Sequence, residues 1–245
     1  MVSLLKNKKV IIGILLIILV LFAYAYTLLY SGNIGVDNYE LKIKSNTSYD
    51  QLKEQLSKDG VLKNISSFDM VASLMKYKKN EIPSGRYLIK RGMSNRKLIS
   101  KLRSGDQDAL DLTFNNVRTI QDLAGALSRQ LEADSITLLN AFLNEKTLSQ
   151  NGLNPATALT MYIPNTYDVF WNISPEKFIK RMKQEADDFW TKERVDKIKN
   201  WNLNREQAYT LASIVEKESN NKKERPTVAG VYLNRLKIGD KLRAD

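Results

Sequence analysis

Residues 10–29, VIIGILLIILVLFAYAYTLL, carry no charge. About 20 apolar residues suffice to span a bilayer, and a run that is apolar all round is not the one-faced stripe of a surface helix. Lys6, Lys8 and Lys9 stand just before the run, and the next charge is Asp37. The positive-inside rule therefore places residues 1–9 in the cytoplasm and the chain after Tyr30 outside. Tyr24, Tyr26 and Tyr30 suit the outer interface, where aromatic rings gather. The rival reading is a cleaved signal peptide, since Ala23-Tyr24-Ala25 has the small-x-small form of a cleavage site. The apolar run continues to Tyr30, which favours a retained single-pass membrane anchor. Both readings export the rest of the chain.

The 245 residues contain neither cysteine nor histidine. Ser-His-Asp and Cys-His machinery is thereby excluded, as are the common His/Cys zinc sites. Catalysis has to use carboxylates, Lys, Tyr, Ser/Thr or backbone groups, and no metal or cofactor is implied. The formal charge is +11, a balance that attracts nucleic acid, anionic lipid or an anionic wall polymer. Export argues against nucleic acid and for the wall or the membrane surface.

After a Gly/Ser/Asn linker at 31–38, the pattern is α+β. Residues 39–44 alternate as a half-buried strand does. Helical spacing follows at 48–58 and 66–76, Pro83-Ser84-Gly85 marks a turn, 86–90 reads as a second strand, and 94–103 as a helix stopped by Gly105. This unit, 39–105, is either a spacer or a wall-binding module. A second unit, 106–245, begins with a strand at 109–114. Helices follow at 119–130 and 136–144. An aromatic turn-and-strand stretch at 162–171 contains Pro164-Asn165-Thr166. Beyond it lie a long charged helical region at 175–198, helices at 205–218 and about 225–237, and Gly239 as the last stop.

The helix at 205–218 carries the chemistry. Asn204 is a suitable N-cap, with Gln207 at the reciprocal position. Ala208, Leu211, Ala212 and Val215 form an apolar stripe. At 100° per residue Glu218 extends that stripe, roughly 50° off its centre, while Glu216 lies on the flank, roughly 110° away. A carboxylate at the apolar end of a helix is expected to be partly desolvated, which raises its pKa, and the negative C-terminal dipole pushes the same way. That is what a general acid needs near neutral pH. The competing reading makes Glu218 a boundary residue paired with Lys222 or Lys223, and periodicity alone favours this second one.

The stretch LASIVEKES, 211–219, followed by ERPTVAGVYLNRLKIGDKLRAD, 224–245, resembles the MltG (YceG-like) family of endolytic murein transglycosylases. Glu216-Lys217-Glu218, Glu224-Arg225, Val228-Ala229, Asn234-Arg235-Leu236, Gly239 and Asp245 stand at the family's motif positions. PNTYDVFW, 164–171, resembles the aromatic segment that borders its active site. Ser84-Gly85-Arg86-Tyr87 and Leu102-Arg103-Ser104-Gly105 resemble its LysM-like membrane-proximal domain. Many members have Thr where Ser219 stands, a conservative change. The family motif that ends at Asp245 normally continues with a Pro-Thr element and further residues, so the chain is expected to be truncated at its C-terminus.

The resemblance implies an α+β protein: a transmembrane helix at 10–30, the LysM-like domain at 39–105, and a mixed α/β catalytic domain at 106–245 that is incomplete at its end. It implies Glu218 as the single acid/base, cutting the β-1,4 bond between N-acetylmuramic acid and N-acetylglucosamine to leave 1,6-anhydro ends. Its partners would be peptidoglycan strands and wall-synthesis proteins, with no nucleic acid. Asn165 and Tyr167 are candidates for sugar contact, Tyr167 by stacking. Ser219 and Asn234 are candidates for positioning the acid or the acetamido groups, Glu216 for substrate binding, and Asp245 for lining the cleft. Phe170 and Trp171 are expected in the core. The alternative is a non-catalytic peptidoglycan-binding scaffold.

Overall fold

The structure is a computed structural model that describes residues 8–242. Residues 1–7 of the expected cytoplasmic tail, and Asp245, lie outside the described residues. The chain divides into two compact units. One runs up to Asp111 and includes Asp168–Asn172; the other comprises Leu112–Tyr167 and the chain from Ile173 onward. The fold is mixed helix and strand, as the patterning predicts.

In the first unit, α1 is Lys8–Tyr30, a 23-residue helix with no buried residue. Two short strands, β1 (Tyr39–Ile43) and β2 (Gly85–Ile89), pair antiparallel with Leu41 opposite Tyr87 and Ile43 opposite Gly85. Period-2 alternation sends Leu41, Ile43, Tyr87 and Ile89 inward, and all four are fully buried. Three helices cover them: α2 (Tyr49–Lys58), α3 (Ile65–Leu74) and α4 (Asn95–Ser104). Each starts where a short polar side chain accepts from a first-turn amide, at Ser48, Asn64 and Ser94. Gly105 closes α4 in the left-handed conformation, φ 66°. Gly85 adopts φ 148°, a conformation that residues with a Cβ rarely take.

The expected linker at 31–38 is in fact built into this unit. Ile34 is fully buried and belongs to its core. Gly32 bridges to Ser94 and Ile34 to Leu62. A Cβ on Gly32 would lie 2.7 Å from the carbonyl oxygen of Gly92, so the glycine permits contact rather than supplying slack. Asn33 is the key. Its Nδ2 donates to Oδ1 of Asn95 and to the carbonyl of Asn64, both at 2.8 Å, and its Oδ1 accepts from the Asn64 amide. Buried amides satisfied on every side fix a segment as firmly as apolar packing does.

Phe114 of β3 (Leu110–Phe114) and Tyr167 of β4 (Asn165–Val169) both belong to the second unit, and the alternation of their strands brings the two rings to 5.5 Å. Helices α5 (Ile120–Ser128), α6 (Ser135–Phe142) and α7 (Glu145–Gln150) follow β3, and a 3-10 turn spans Ala158–Met161. The short α7 and this turn have no counterpart in the sequence expectations. Phe142, Tyr162 and Phe178 form a buried aromatic triad with centroids 4.9–6.2 Å apart.

The region 175–198 is two helices rather than one: α8 (Pro175–Phe189) and α9 (Lys192–Lys199). The break falls at Trp190, whose ψ of 61° leaves the helix. Thr191 then caps α9 by accepting from the Arg194 amide. The last elements are α10 (Arg205–Glu218) and α11 (Arg225–Lys237).

Candidate active site

The candidate site stands on α10 and the turn that follows it. Asn204 and Gln207 form the expected capping box at the N-terminus of α10. Leu211 and Val215 are buried beneath Tyr232 of α11, with Ile214, Val228, Ala229 and Leu233 packed around them. Near the start of α10 the Tyr209 hydroxyl donates to the carbonyl of Tyr162 at 3.3 Å. This fastens the helix to the segment that leads into β4. The hydroxyl's pKa is pushed up by burial and by the negative charge of Glu216.

At its C-terminal end α10 stops at Ser219, which turns extended at φ −138° while its amide still donates to the carbonyl of Val215. The Ser219 side chain is buried and organises the corner. Its Oγ accepts from the Asn221 amide and donates to Oε2 of Glu224 at 2.9 Å. Asn221 Nδ2 holds the other oxygen of Glu224, also at 2.9 Å. Arg225 donates from Nε to the Ser219 carbonyl at 3.2 Å, and its Nη2 lies 3.9 Å from Glu216.

Three glutamates thus meet at this corner, and two have structural partners. Glu224 is tied on both oxygens and Glu216 pairs loosely with Arg225. Glu218, the last residue of α10, is exposed. Among the described residues no hydrogen bond or ion pair reaches its carboxylate. The pairing with Lys222 or Lys223 that the boundary reading requires is not formed. The expected partial desolvation is not observed either, because the buried contacts between α10 and α11 end at Val215 and Ser219. Ala212, placed on the apolar stripe by periodicity, is likewise exposed.

The remaining predicted residues separate by burial. Asn165 is exposed at the first position of β4, its Oδ1 accepting from the Thr166 amide. Tyr167 is only 4 % exposed, stacks on Phe114 and donates to the carbonyl of Ile163 at 2.5 Å. It is a core residue and not a platform for a sugar, because the pleat of β4 turns it inward with Val169. Burial pushes its hydroxyl up to about 12. Phe170, expected in the core, is 49 % exposed, whereas Trp171 is buried. Asn234 is exposed on α11. No hydrogen bond or ion pair among the described residues joins Asn165 or Asn234 to Glu218. Asn221, Glu224 and Arg225, which shape the corner, were not singled out as site residues. The Glu224-Arg225 dipeptide of the motif points to two of them, and no signal points to Asn221.

A cavity of about 430 Å³ lies along the other half of α10, lined by Gly152, Asn154, Asn204, Glu206 and Leu242 among others. Among the described residues, none of the predicted site residues lines it. Among the described residues there is no group of three or more acidic side chains arranged to hold a metal ion.

The sequence profile of the YceG-like family matches residues 41–245. The endolytic murein transglycosylase of Streptococcus pneumoniae is 26 % identical over 222 residues, covering 79 % of this chain and 39 % of that protein. The chain therefore spans about two fifths of the length of that curated relative. A crystal structure of a YceG-like protein from Listeria monocytogenes superposes with a TM-score of 0.53 at 19 % identity, covering 85 % of this chain and 73 % of that one. At that identity the likeness establishes the shared fold.

Proposed function

The chain belongs to the YceG-like family, and on that premise we propose that it is an endolytic peptidoglycan lytic transglycosylase held in the membrane by α1, with Glu218 as its acid/base. The observation that carries the assignment of Glu218 is its freedom. Of the three carboxylates at the α10–α11 corner it alone lacks a structural partner among the described residues, and it projects from a corner fixed by Ser219, Glu224 and Arg225. The relative of the same family is named for this activity.

The substrate is the β-1,4 bond between N-acetylmuramic acid and N-acetylglucosamine. Glu218 as acid gives its proton to the bridging oxygen, and the bond from that oxygen to C1 of the muramic residue breaks. The resulting carboxylate takes the proton of that residue's own 6-hydroxyl, whose oxygen closes on C1. The product carries a 1,6-anhydro end, water is not consumed, and Glu218 is restored to its acid form. The two-carboxylate arrangement of most glycosidases is unnecessary, because an intramolecular nucleophile has a high effective concentration and needs no activated water.

Around the acid, Glu216 and Ser219 set the end of α10. Asn165 and Asn234 offer exposed carboxamides to the glycan, and Asp245 is assigned to the cleft wall on the motif alone. Tyr167 has no part in sugar contact. Residues 39–105 are read as a LysM-like membrane-proximal domain and 106–245 as the catalytic domain. The protein then works outside the cytoplasmic membrane beside wall-synthesis proteins, ending or limiting glycan strands.

One observation favours a second reading. Glu218 stands in the open, and a scaffold that binds glycan without cutting it needs no enclosed acid. Digestion of purified peptidoglycan separates the two, with mass spectrometry of the released ends. Anhydro-muramyl ends establish the transglycosylase. Reducing ends mean a hydrolase and a second carboxylate. Bound sacculi with no release mean the scaffold.

A further inference from the structure

The junction between α1 and the rest of the first unit leaves no room for the latter to stand away from a bilayer. The helix reaches the unit without slack. Leu28 and Leu29 pack against its core. Asn95 Nδ2 donates to the Leu28 carbonyl at 3.3 Å and to Oγ of Ser67 at 3.1 Å, so a terminal carbonyl of α1 is satisfied from α4. The Arg96 guanidinium lies 5.0 Å from the centre of the Tyr30 ring and donates to its hydroxyl.

Length fixes the level of this junction. At 1.5 Å per residue about 20 residues cross the ~30 Å hydrocarbon layer, and the uncharged run begins at Val10 just after Lys8 and Lys9. The outer edge of the layer therefore falls near Leu29 and Tyr30, the residues that touch α3 and α4.

The surface beside the junction has the matching chemistry. On α3 the residues Ser67, Met70, Val71 and Leu74 recur at i, i+3, i+4 and i+7 and so share one face. Ser67 turns that face toward Asn95 and the end of α1. Val71 is buried, but Met70 is 46 % and Leu74 64 % exposed. On α4, Arg96, Lys97 and Arg103 are exposed and no acidic residue occurs in the helix. The one acidic residue of α3, Asp69, is neutralised by Lys53 at 3.2 Å and Lys78 at 2.7 Å.

We propose that the α3–α4 face is a docking surface for the outer leaflet, with Met70 and Leu74 set into the interface and Arg96 and Lys97 against anionic lipid headgroups. The proposal rests on reading α1 as a membrane span. Apolar side chains flanked by basic ones are the pattern of an interfacial surface, and basic residues near an anionic bilayer are attracted to it. The first unit and α1 then form one body seated on the membrane.

The absence of cysteine makes the test clean. The full chain is reconstituted into vesicles of phosphatidylcholine with and without phosphatidylglycerol. Single variants Leu19→Cys, Asp50→Cys, Met70→Cys and Leu74→Cys carry an environment-sensitive fluorophore. Spin-labelled lipids quench it either at mid-bilayer or at headgroup depth. The expected result is mid-bilayer quenching at Leu19 and headgroup-depth quenching at Met70 and Leu74 at least twofold above Asp50 on α2. Phosphatidylglycerol should increase that difference, and Arg96→Gln with Lys97→Gln should remove the increase. Quenching at Leu19 with Met70 and Leu74 no different from Asp50 overturns the docking surface while leaving the span intact. Protection at Met70 and Leu74 that appears only on adding peptidoglycan assigns the face to glycan and overturns it as well. No quenching at Leu19 removes the span, and the docking surface with it.

Discussion

The first unit and the candidate site are built on opposite terms. In the first unit a continuous core runs from Ile34 through Leu41, Phe68 and Tyr87 to Leu102, with nearly every member fully buried. At the α10–α11 hairpin the buried set is Leu211, Val215 and Tyr232, each keeping some exposure. A dense core makes a unit rigid, whereas a sparse hairpin leaves its terminal residue accessible to a polymer. Segments with few buried apolar contacts sit at the low end of local stability, where binding surfaces are commonly found. The site gets its order from the polar corner of Ser219, Asn221, Glu224 and Arg225 rather than from packing.

That contrast breaks if the two cores respond alike to truncation. Phe68→Ala should destabilise the first unit by about 3–5 kcal/mol, and Leu211→Ala should cost only about 2 kcal/mol, the low end for a large-to-small change. Urea unfolding of the detergent-solubilised chain measures both, and equal losses would contradict the difference. Asn95→Ala sharpens the contrast within the first unit. It leaves Asn33 and the Leu28 carbonyl each short of a partner, and unmet buried groups cost about 1–3 kcal/mol. Hydrogen exchange at residues 31–35 should accelerate while exchange in α10 is unchanged.

At the corner, Ser219→Ala removes one donor to Glu224 and should cost about 1 kcal/mol, with exchange rising at 219–224. Ser219→Thr keeps the hydroxyl and should restore protection.

In alkali, by contrast, the two units should agree. Burial pushes the Tyr87 hydroxyl in one and the Tyr167 hydroxyl in the other up to about 12. The folded state keeps these protons longer than the unfolded chain does, so stability is unaffected below about pH 10 and falls as pH rises toward 12. Phenolate absorbance should show these tyrosines titrating late and together with unfolding.

Much of the architecture was legible because local signals agreed with the fold. The strands β1 and β2 alternate cleanly, Ser48, Ser94 and Asn204 cap their helices, and Gly105 ends α4. The helix bearing Glu218 was found from its spacing and its motif. The misreadings share a physical cause. Residues 31–38 look like a linker because Gly, Ser and Asn are turn formers, but their order comes from Asn95 and Gly92, about 60 residues away in the chain. Tyr167 looked like a sugar platform because aromatic residues serve both purposes, yet the alternation with Val169 already turned it inward. The break at Trp190 was marked by a capping threonine that the charge pattern obscured. The exposure of Glu218 depends on where α11 stops covering α10, which periodicity within one helix does not contain.

The central claim is that the one carboxylate left free at the corner is the one that does the chemistry. Purified peptidoglycan incubated with the full chain and with Glu218→Gln in parallel, with anhydro-muramyl ends counted by mass spectrometry, tests it directly. Product formation should fall at least about a hundredfold in the variant, while its unfolding curve stays superimposable on that of the parent, since no partner of Glu218 is lost. Anhydro ends released by Glu218→Gln at the parent's rate would contradict the assignment.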